Sequence, residues 1–161
     1  MSNVGSGTES LLSFGERNAP PRSEATAKGL PHISVCICTY RRPELLPRTL
    51  AGLSGQETNG LFTYSIVVAD NDHARSAEPV AAAFADSAKI YVKYCVEPQQ
   101  NISLTRNQAV RNAEGDFIAF IDDDEFPTKS WLLTLFRTCK ERGVDGVLGP
   151  VKPHFDEAPP K

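Results

Sequence analysis

The feature that most restricts what this chain can become is a run of five apolar residues, Phe117-Ile-Ala-Phe-Ile121, that passes without a break into four acidic ones, Asp122-Asp-Asp-Glu125. A short all-apolar run reads as a strand covered on both faces, which is the habit of parallel sheets flanked by helices. Charge at the end of such a strand sits where the ligands of open α/β sheets collect. Neighbouring carboxylates repel by about 4 kcal/mol at roughly 4 Å in a partly screened setting, so ionising them together is costly unless a cation is shared. Hard oxygen donors of this kind suit Mg²⁺ or Mn²⁺ held jointly with substrate phosphates. The plainer alternative is a solvated acidic turn leading into the next helix.

The rest of the chain repeats a strand, turn, helix pattern. Ile33–Cys38 reads as a buried strand, and Pro43 and Glu44 open a helix whose Leu46, Leu50 and Leu53 recur at i, i+4 and i+7, with Pro47 tolerated in its first turn. A second strand is expected over residues 63–69, followed by a turn at Asp70–His73 and a helix carrying Val80, Ala83 and Phe84. A third covers residues 90–96, and the helix through Leu104–Ala113 stops at Gly115, which suits a left-handed cap. Phe117–Ile121 is the fourth strand and, being wholly apolar, is expected at the centre of the sheet. A helix with Trp131, Leu132, Leu135, Phe136 and Cys139 on one side ends at Gly143, and a fifth strand is expected over residues 146–151. Five strands and four helices predict a mostly parallel α/β sandwich.

Residues 1–30 are rich in Ser, Gly, Pro and charge and read as a disordered tail; residues 31–155 form one folded unit and residues 156–161 a short exit tail. The net charge of −3 offers no basic field for nucleic acid. Nothing in the sequence has the length of an apolar membrane span or the layout of a signal peptide, so a cytoplasmic protein is expected. Cys36, Cys38, Cys95 and Cys139 form no C-x-x-C pair and read as reduced thiols packed like small hydrophobes.

Polar residues follow each expected strand. Thr39, Tyr40, Arg41 and Arg42 come after the first, and of the two arginines one is expected to be merely solvated. Asp70, Asn71 and Asp72 come after the second, where a carboxylate could accept hydrogen bonds from a base or ribose, although Asp-Asn-Asp is also a good turn. In Asn101-Ile-Ser-Leu-Thr-Arg-Asn107, either Asn101 or Ser103 can cap a helix carrying Arg106, an arrangement suited to a pyrophosphate. A surface ion pair is the alternative for Arg106.

Taken in order, Cys38-Thr-Tyr-Arg-Arg-Pro43, Val68-Ala-Asp-Asn-Asp72, Asn101–Asn107, Gly115–Glu125 and Leu148-Gly-Pro-Val151 resemble family 2 glycosyltransferases of the GT-A fold, a Rossmann-like α/β fold. They most resemble the bacterial exopolysaccharide subgroup that includes succinoglycan glucosyltransferases. The resemblance implies inverting transfer of a hexose from a UDP-sugar, UDP-glucose in the nearest subgroup, to a saccharide or lipid-linked acceptor. It implies that Cys38, Thr39, Tyr40 and Arg41 line the nucleotide pocket, that Asp70 hydrogen-bonds the uracil beside Asn71, and that Arg106 lies near the donor. Within the acidic motif, Asp122 takes the first place of the D-x-D form, Asp123 faces the ribose and donor sugar, and Asp124, with Asp122, holds Mg²⁺ or Mn²⁺.

In the family the catalytic base lies in the second half of the domain. With Lys161 as its last residue, the chain is expected to hold the donor-binding half, truncated before the acceptor half, with no identifiable base and with apolar surface exposed toward self-association or a membrane face. Asp156 and Glu157 match no family position. A binding-only fragment that takes UDP-sugar and metal without transfer is the alternative. Haloacid-dehalogenase phosphatases and receiver domains also carry acidic strand ends, but on the first strand, where this chain has Thr39 and Tyr40.

Overall fold

The computed structural model describes residues 29–155. The tails assigned to residues 1–30 and 156–161 lie outside these, apart from Gly29 and Leu30. In chain order the elements are β1 (His32–Thr39), α1 (Leu46–Ser54), β2 (Thr63–Asp70), α2 (Glu78–Ser87), β3 (Val92–Val96), α3 (Ile102–Asn112), β4 (Phe117–Asp122) and α4 (Trp131–Arg142). The strands form one parallel sheet in the order β3-β2-β1-β4. The chain builds outward from β1 to β3, then returns through α3 to lay β4 on the other side of β1. The carboxyl ends of β1 and β4 therefore flank the point where the strand order reverses, the place where such sheets open a crevice.

Alternation along the strands divides the core in two. Ile33, Val35, Ile37, Ile66, Val68, Val92 and Ile121 face α1, α2 and α4, which contribute Leu46, Leu50, Leu53, Ala81, Ala85, Leu132, Leu133 and Phe136. Cys36, Cys38, Val67 and Ala69 face the other way, toward Ala109 of α3. The small alanines of α2 let it lie close to the sheet, so Ala81 and Ala85 are buried while Val80 and Phe84 pack at the margin and Ala83 is exposed. Phe136 joins α4 to the sheet, its ring 4.9 Å from that of Phe62 and 5.6 Å from that of Phe117. Each fully buried leucine or isoleucine contributes about 1.5–3 kcal/mol.

Four expectations are corrected. First, β4 is an edge strand: one face packs through Phe117, Ala119 and Ile121, while Ile118 and Phe120 on the other remain 42% and 45% exposed. Apolar composition reports only that a strand suits burial, and α3 packs chiefly across β1, β2 and β3. Second, residues 146–151 form no strand: the segment pairs with neither open edge of the sheet, that of β3 or that of β4, and Leu148 is 98% exposed.

Third, Gly115 is not a left-handed cap. The cap of α3 is Ala113 in an extended conformation, and Gly115 is required because a Cβ there would lie 2.7 Å from the His32 carbonyl oxygen and the Ser34 nitrogen. Fourth, α1 starts at Leu46 rather than Pro43, since Pro47 has no N–H to give back to the preceding turn. Gly143 does adopt the left-handed conformation, with φ of 62°, that ends α4. Among the described residues no helix is long and apolar enough to cross a membrane.

Candidate functional site

The end of β4 divides its acidic residues between environments. Asp122 is the last strand residue, in register with Cys38 of β1, and it is 64% exposed on its side chain with Arg106 Nη2 3.9 Å from its carboxylate. Asp123, expected to face the ribose and donor sugar, instead turns the other way and is fully buried, with no side-chain surface open to a donor. Its Oδ2 accepts the Thr39 hydroxyl at 2.7 Å, its Oδ1 accepts Arg42 Nη2 at 2.5 Å, and its backbone carbonyl accepts the Thr49 hydroxyl of α1 at 2.7 Å. Burial pushes its carboxyl above the ordinary range even though the Thr39 bond and the Arg42 charge oppose the shift. Asp124 emerges again, 52% exposed, with Arg42 Nη1 3.5 Å away.

Thus a buried, doubly held carboxylate anchors the loop and presents exposed carboxylates on either side of it. Among the described residues no group of three His, Cys, Asp or Glu side chains could hold an ion by themselves. The donor set instead fits an ion such as Mg²⁺ or Mn²⁺ that takes one or two carboxylates and completes its shell with water and phosphate oxygens.

Beside this loop, across the ends of β1 and β2, is a cleft of about 310 Å³ lined by Cys38, Thr39, Tyr40, Arg42, Asn71, Gln100, Asn101, Ile102 and Thr105. Asn101 is the residue that caps α3, its Oδ1 accepting the N–H groups of Ser103 and Leu104 at 2.9 and 3.2 Å. The positive end of α3 therefore borders the cleft. Asn71 shapes the opposite wall: its amide donates to the carbonyls of Glu97 and Gln99 and its oxygen accepts Asn101 N–H, which ties the loop after β3 to the end of β2. Cys38 lies in the floor as a thiol whose pKa burial raises to about 11. A second, wholly apolar hollow between α1 and α2, lined by Pro47, Leu50, Pro79, Val80, Ala83 and Phe84, carries none of these polar groups.

Asp70 is placed differently from the expectation. It is fully buried, with Oδ1 accepting Asp72 N–H at 2.9 Å and Oδ2 accepting Ala77 N–H and the Tyr94 hydroxyl, both at 2.8 Å. The carboxylate is spent on folding the turn between β2 and α2 and leaves no surface for a base. Nor is either arginine merely solvated. Arg41, in a left-handed conformation with φ of 52°, places Nε 3.4 Å from Asp72, whereas Arg42 reaches the acidic loop. Gln100, Ile102 and Thr105 are cleft residues to which sequence reasoning gave no role, and Arg42, named there at the end of the first strand, was not carried into the donor site although it lines the cleft.

A parallel sheet reversing at β1/β4, with an acidic loop and a helix N-terminus around one cleft, is the arrangement in which open α/β sheets collect their ligands. The model of the family described as Glycosyl transferase family 2 matches residues 34–161. The chain belongs to that family. It is 38% identical over 130 residues to the succinoglycan biosynthesis protein ExoM of Rhizobium meliloti, a match covering 81% of this chain and 42% of that protein. In three dimensions it resembles S. aureus TarS 1–349 in complex with UDP-GlcNAc, with a TM-score of 0.60, 22% identity, and coverage of 78% of this chain and 38% of that one. It also resembles the mannosyltransferase PcManGT of Pyrobaculum calidifontis in complex with GDP-Man and Mn²⁺, with a TM-score of 0.55, 19% identity, and coverage of 62% and 30%. These likenesses establish the GT-A fold for this family 2 chain, which spans less than half the length of each of these proteins.

Proposed function

We propose that this family 2 chain carries the donor-binding part of an inverting glycosyltransferase that moves a hexosyl group from a UDP-sugar, UDP-glucose being the first candidate, to a saccharide or lipid-linked acceptor in polysaccharide biosynthesis. The observation that carries the reading is the buried Asp123, held by Thr39 and Arg42 of the cleft lining, which leaves Asp122 and Asp124 exposed on either side of it. The identity to ExoM supports the polysaccharide setting, and the UDP-GlcNAc bound to TarS supports a UDP-linked donor.

In this reading the base and ribose lie between Tyr40 and the loop held by Asn71, and Asp70 serves by fixing the turn beneath them rather than by touching the base. The diphosphate lies toward the N-terminus of α3, where Arg106 and Arg42 supply charge-assisted donors. Asp124, with Asp122, would hold the Mg²⁺ or Mn²⁺, which when bound supplies Lewis-acid stabilisation of the charge developing on the leaving diphosphate. Direct displacement also requires a base within about 3 Å of the acceptor hydroxyl. No described carboxylate is assigned that role.

Thermal unfolding of the chain with UDP, with and without Mn²⁺, tests the reading. UDP at about 100 times its dissociation constant should stabilise by about 2.7 kcal/mol, a shift of several degrees. The shift should require Mn²⁺ and disappear in Asp124→Asn, whose side chain is half exposed and whose fold should survive. An Asp124→Asn variant that responds to UDP and Mn²⁺ as wild type does removes Asp124 from the ion site. Metal-dependent UDP binding with no UDP release from UDP-glucose in the presence of acceptor would favour a chain that binds donor without transferring it.

A further inference from the structure

Arg42 stands where the donor reading needs a divalent ion and a diphosphate to meet. Its guanidinium donates to Asp123 Oδ1 at 2.5 Å and to Asp124 Oδ2 at 3.5 Å, and the half-exposed side chain also lines the cleft. The two carboxylates differ in what else supports them. Asp123 is buried and keeps the Thr39 hydroxyl if Arg42 leaves, while Asp124 is open to water. Detaching Arg42 thus strands neither carboxylate without a partner.

A guanidinium presents the same planar fork to phosphate as to carboxylate, so a nucleoside diphosphate entering the cleft offers Arg42 an equivalent partner. A divalent ion on Asp124 does the opposite: it meets the guanidinium as a like charge and competes with it for the same oxygens. We infer that Arg42 is the exchangeable counter-ion of the acidic loop. It neutralises Asp123 and Asp124 while the cleft is empty and turns to the diphosphate as the ion arrives. The ion is therefore disfavoured on the empty protein and enters together with the nucleotide. Arg42 is a positioning residue that couples the two ligands, and by linkage each raises the affinity of the other by the same factor. The inference rests on the donor-site reading above.

The test compares wild type with Arg42→Gln, which retains an amide donor without the charge, and Arg42→Lys, which retains the charge without the fork. Mn²⁺ binding without nucleotide is read by electron paramagnetic resonance, and UDP binding by calorimetry with and without Mn²⁺. Arg42→Gln should bind Mn²⁺ alone at least about fivefold more tightly than wild type, the lower end of the range usual for coupled sites, and should bind UDP in the presence of Mn²⁺ at least about fivefold more weakly. Arg42→Lys should keep the wild-type affinity for Mn²⁺ alone and recover part of the UDP affinity. Damage to the fold would weaken both ligands, so the opposite signs separate exchange from a structural role. An Arg42→Gln protein that binds Mn²⁺ alone no more tightly than wild type, or that keeps wild-type UDP affinity, overturns the inference. Wild-type UDP binding indifferent to Mn²⁺ is instead the failure of the donor-site reading, and it is seen without any variant.

Discussion

Replacing Thr39 with Val removes one hydroxyl from the base of the acidic loop and leaves the side-chain volume almost unchanged. Thr39 is buried at the end of β1, and its hydroxyl donates at 2.7 Å to the fully buried carboxylate of Asp123. Hydrogen bonds to charged groups contribute about 1.5–3 kcal/mol, and the oxygen left behind has no water to turn to. Asp123 keeps Arg42 on its other oxygen, which holds the loss within that range rather than the larger value of a wholly unpaired buried charge. For a chain of this size the melting temperature should fall by about 3–12 °C. Thr39→Ser, which keeps the hydroxyl and loses only a methyl, serves as the control. Differential scanning calorimetry of the three proteins should place the serine variant much closer to wild type than the valine variant. A valine variant within about 0.5 kcal/mol of wild type, or a serine variant that loses as much as the valine one, would refute the claim that this bond holds Asp123 in place.

Gly115→Ala should destabilise by about 1–3 kcal/mol or more, measured by urea denaturation, because its Cβ would strike backbone atoms of β1 at 2.7 Å and of Phe117 at 2.8 Å, and neither paired strand can yield; a loss below about 0.5 kcal/mol would show that the β1–β4 junction is looser than described. His32 bridges the hydroxyls of Thr63 and Ser65 at 2.8 and 2.9 Å, and burial lowers its pKa below 6.5 against the raising influence of Asp116 and Glu114. The unfolded chain then takes up a proton that the folded chain resists, so this group's contribution is intact above about pH 6.5 and declines as the pH falls toward the folded value. His32→Gln should flatten the fall in chemical-denaturation stability between about pH 7.5 and about pH 5, and an unchanged slope would assign that fall to other groups.

The hydrophobic period and the punctuation by Pro, Gly and Asn were enough to place eight of the elements, because both are local properties. Val35 and Ile37 alternate with Cys36 and Cys38 whatever surrounds them, Asn101 caps the next helix through N–H groups two and three residues away, and Gly143 closes α4 within its own last turn. The acidic motif was visible for the same reason, since four carboxylates after five apolar residues are adjacent in the chain. What failed were inferences from a segment to its neighbours. The apolar face of Ile118 and Phe120 suggested a central strand, but sheet position depends on where α3 lies, and residues 146–151 had strand character yet pair with neither open edge of the sheet.

The sequence by itself determined the parallel α/β class, the family and the strand ends where chemistry would collect, since each is written in local pattern and motif order. Only the tertiary structure decided the work of each polar residue. Asp70 and Asp123 look alike in sequence as carboxylates at strand ends, yet one folds a turn with Tyr94 and Ala77 while the other anchors the acidic loop with Thr39 and Arg42. Thr39 and Asp123 are 84 residues apart. No local pattern encodes which hydroxyl a buried carboxylate will meet, because that is settled by the parallel register that brings the ends of β1 and β4 together.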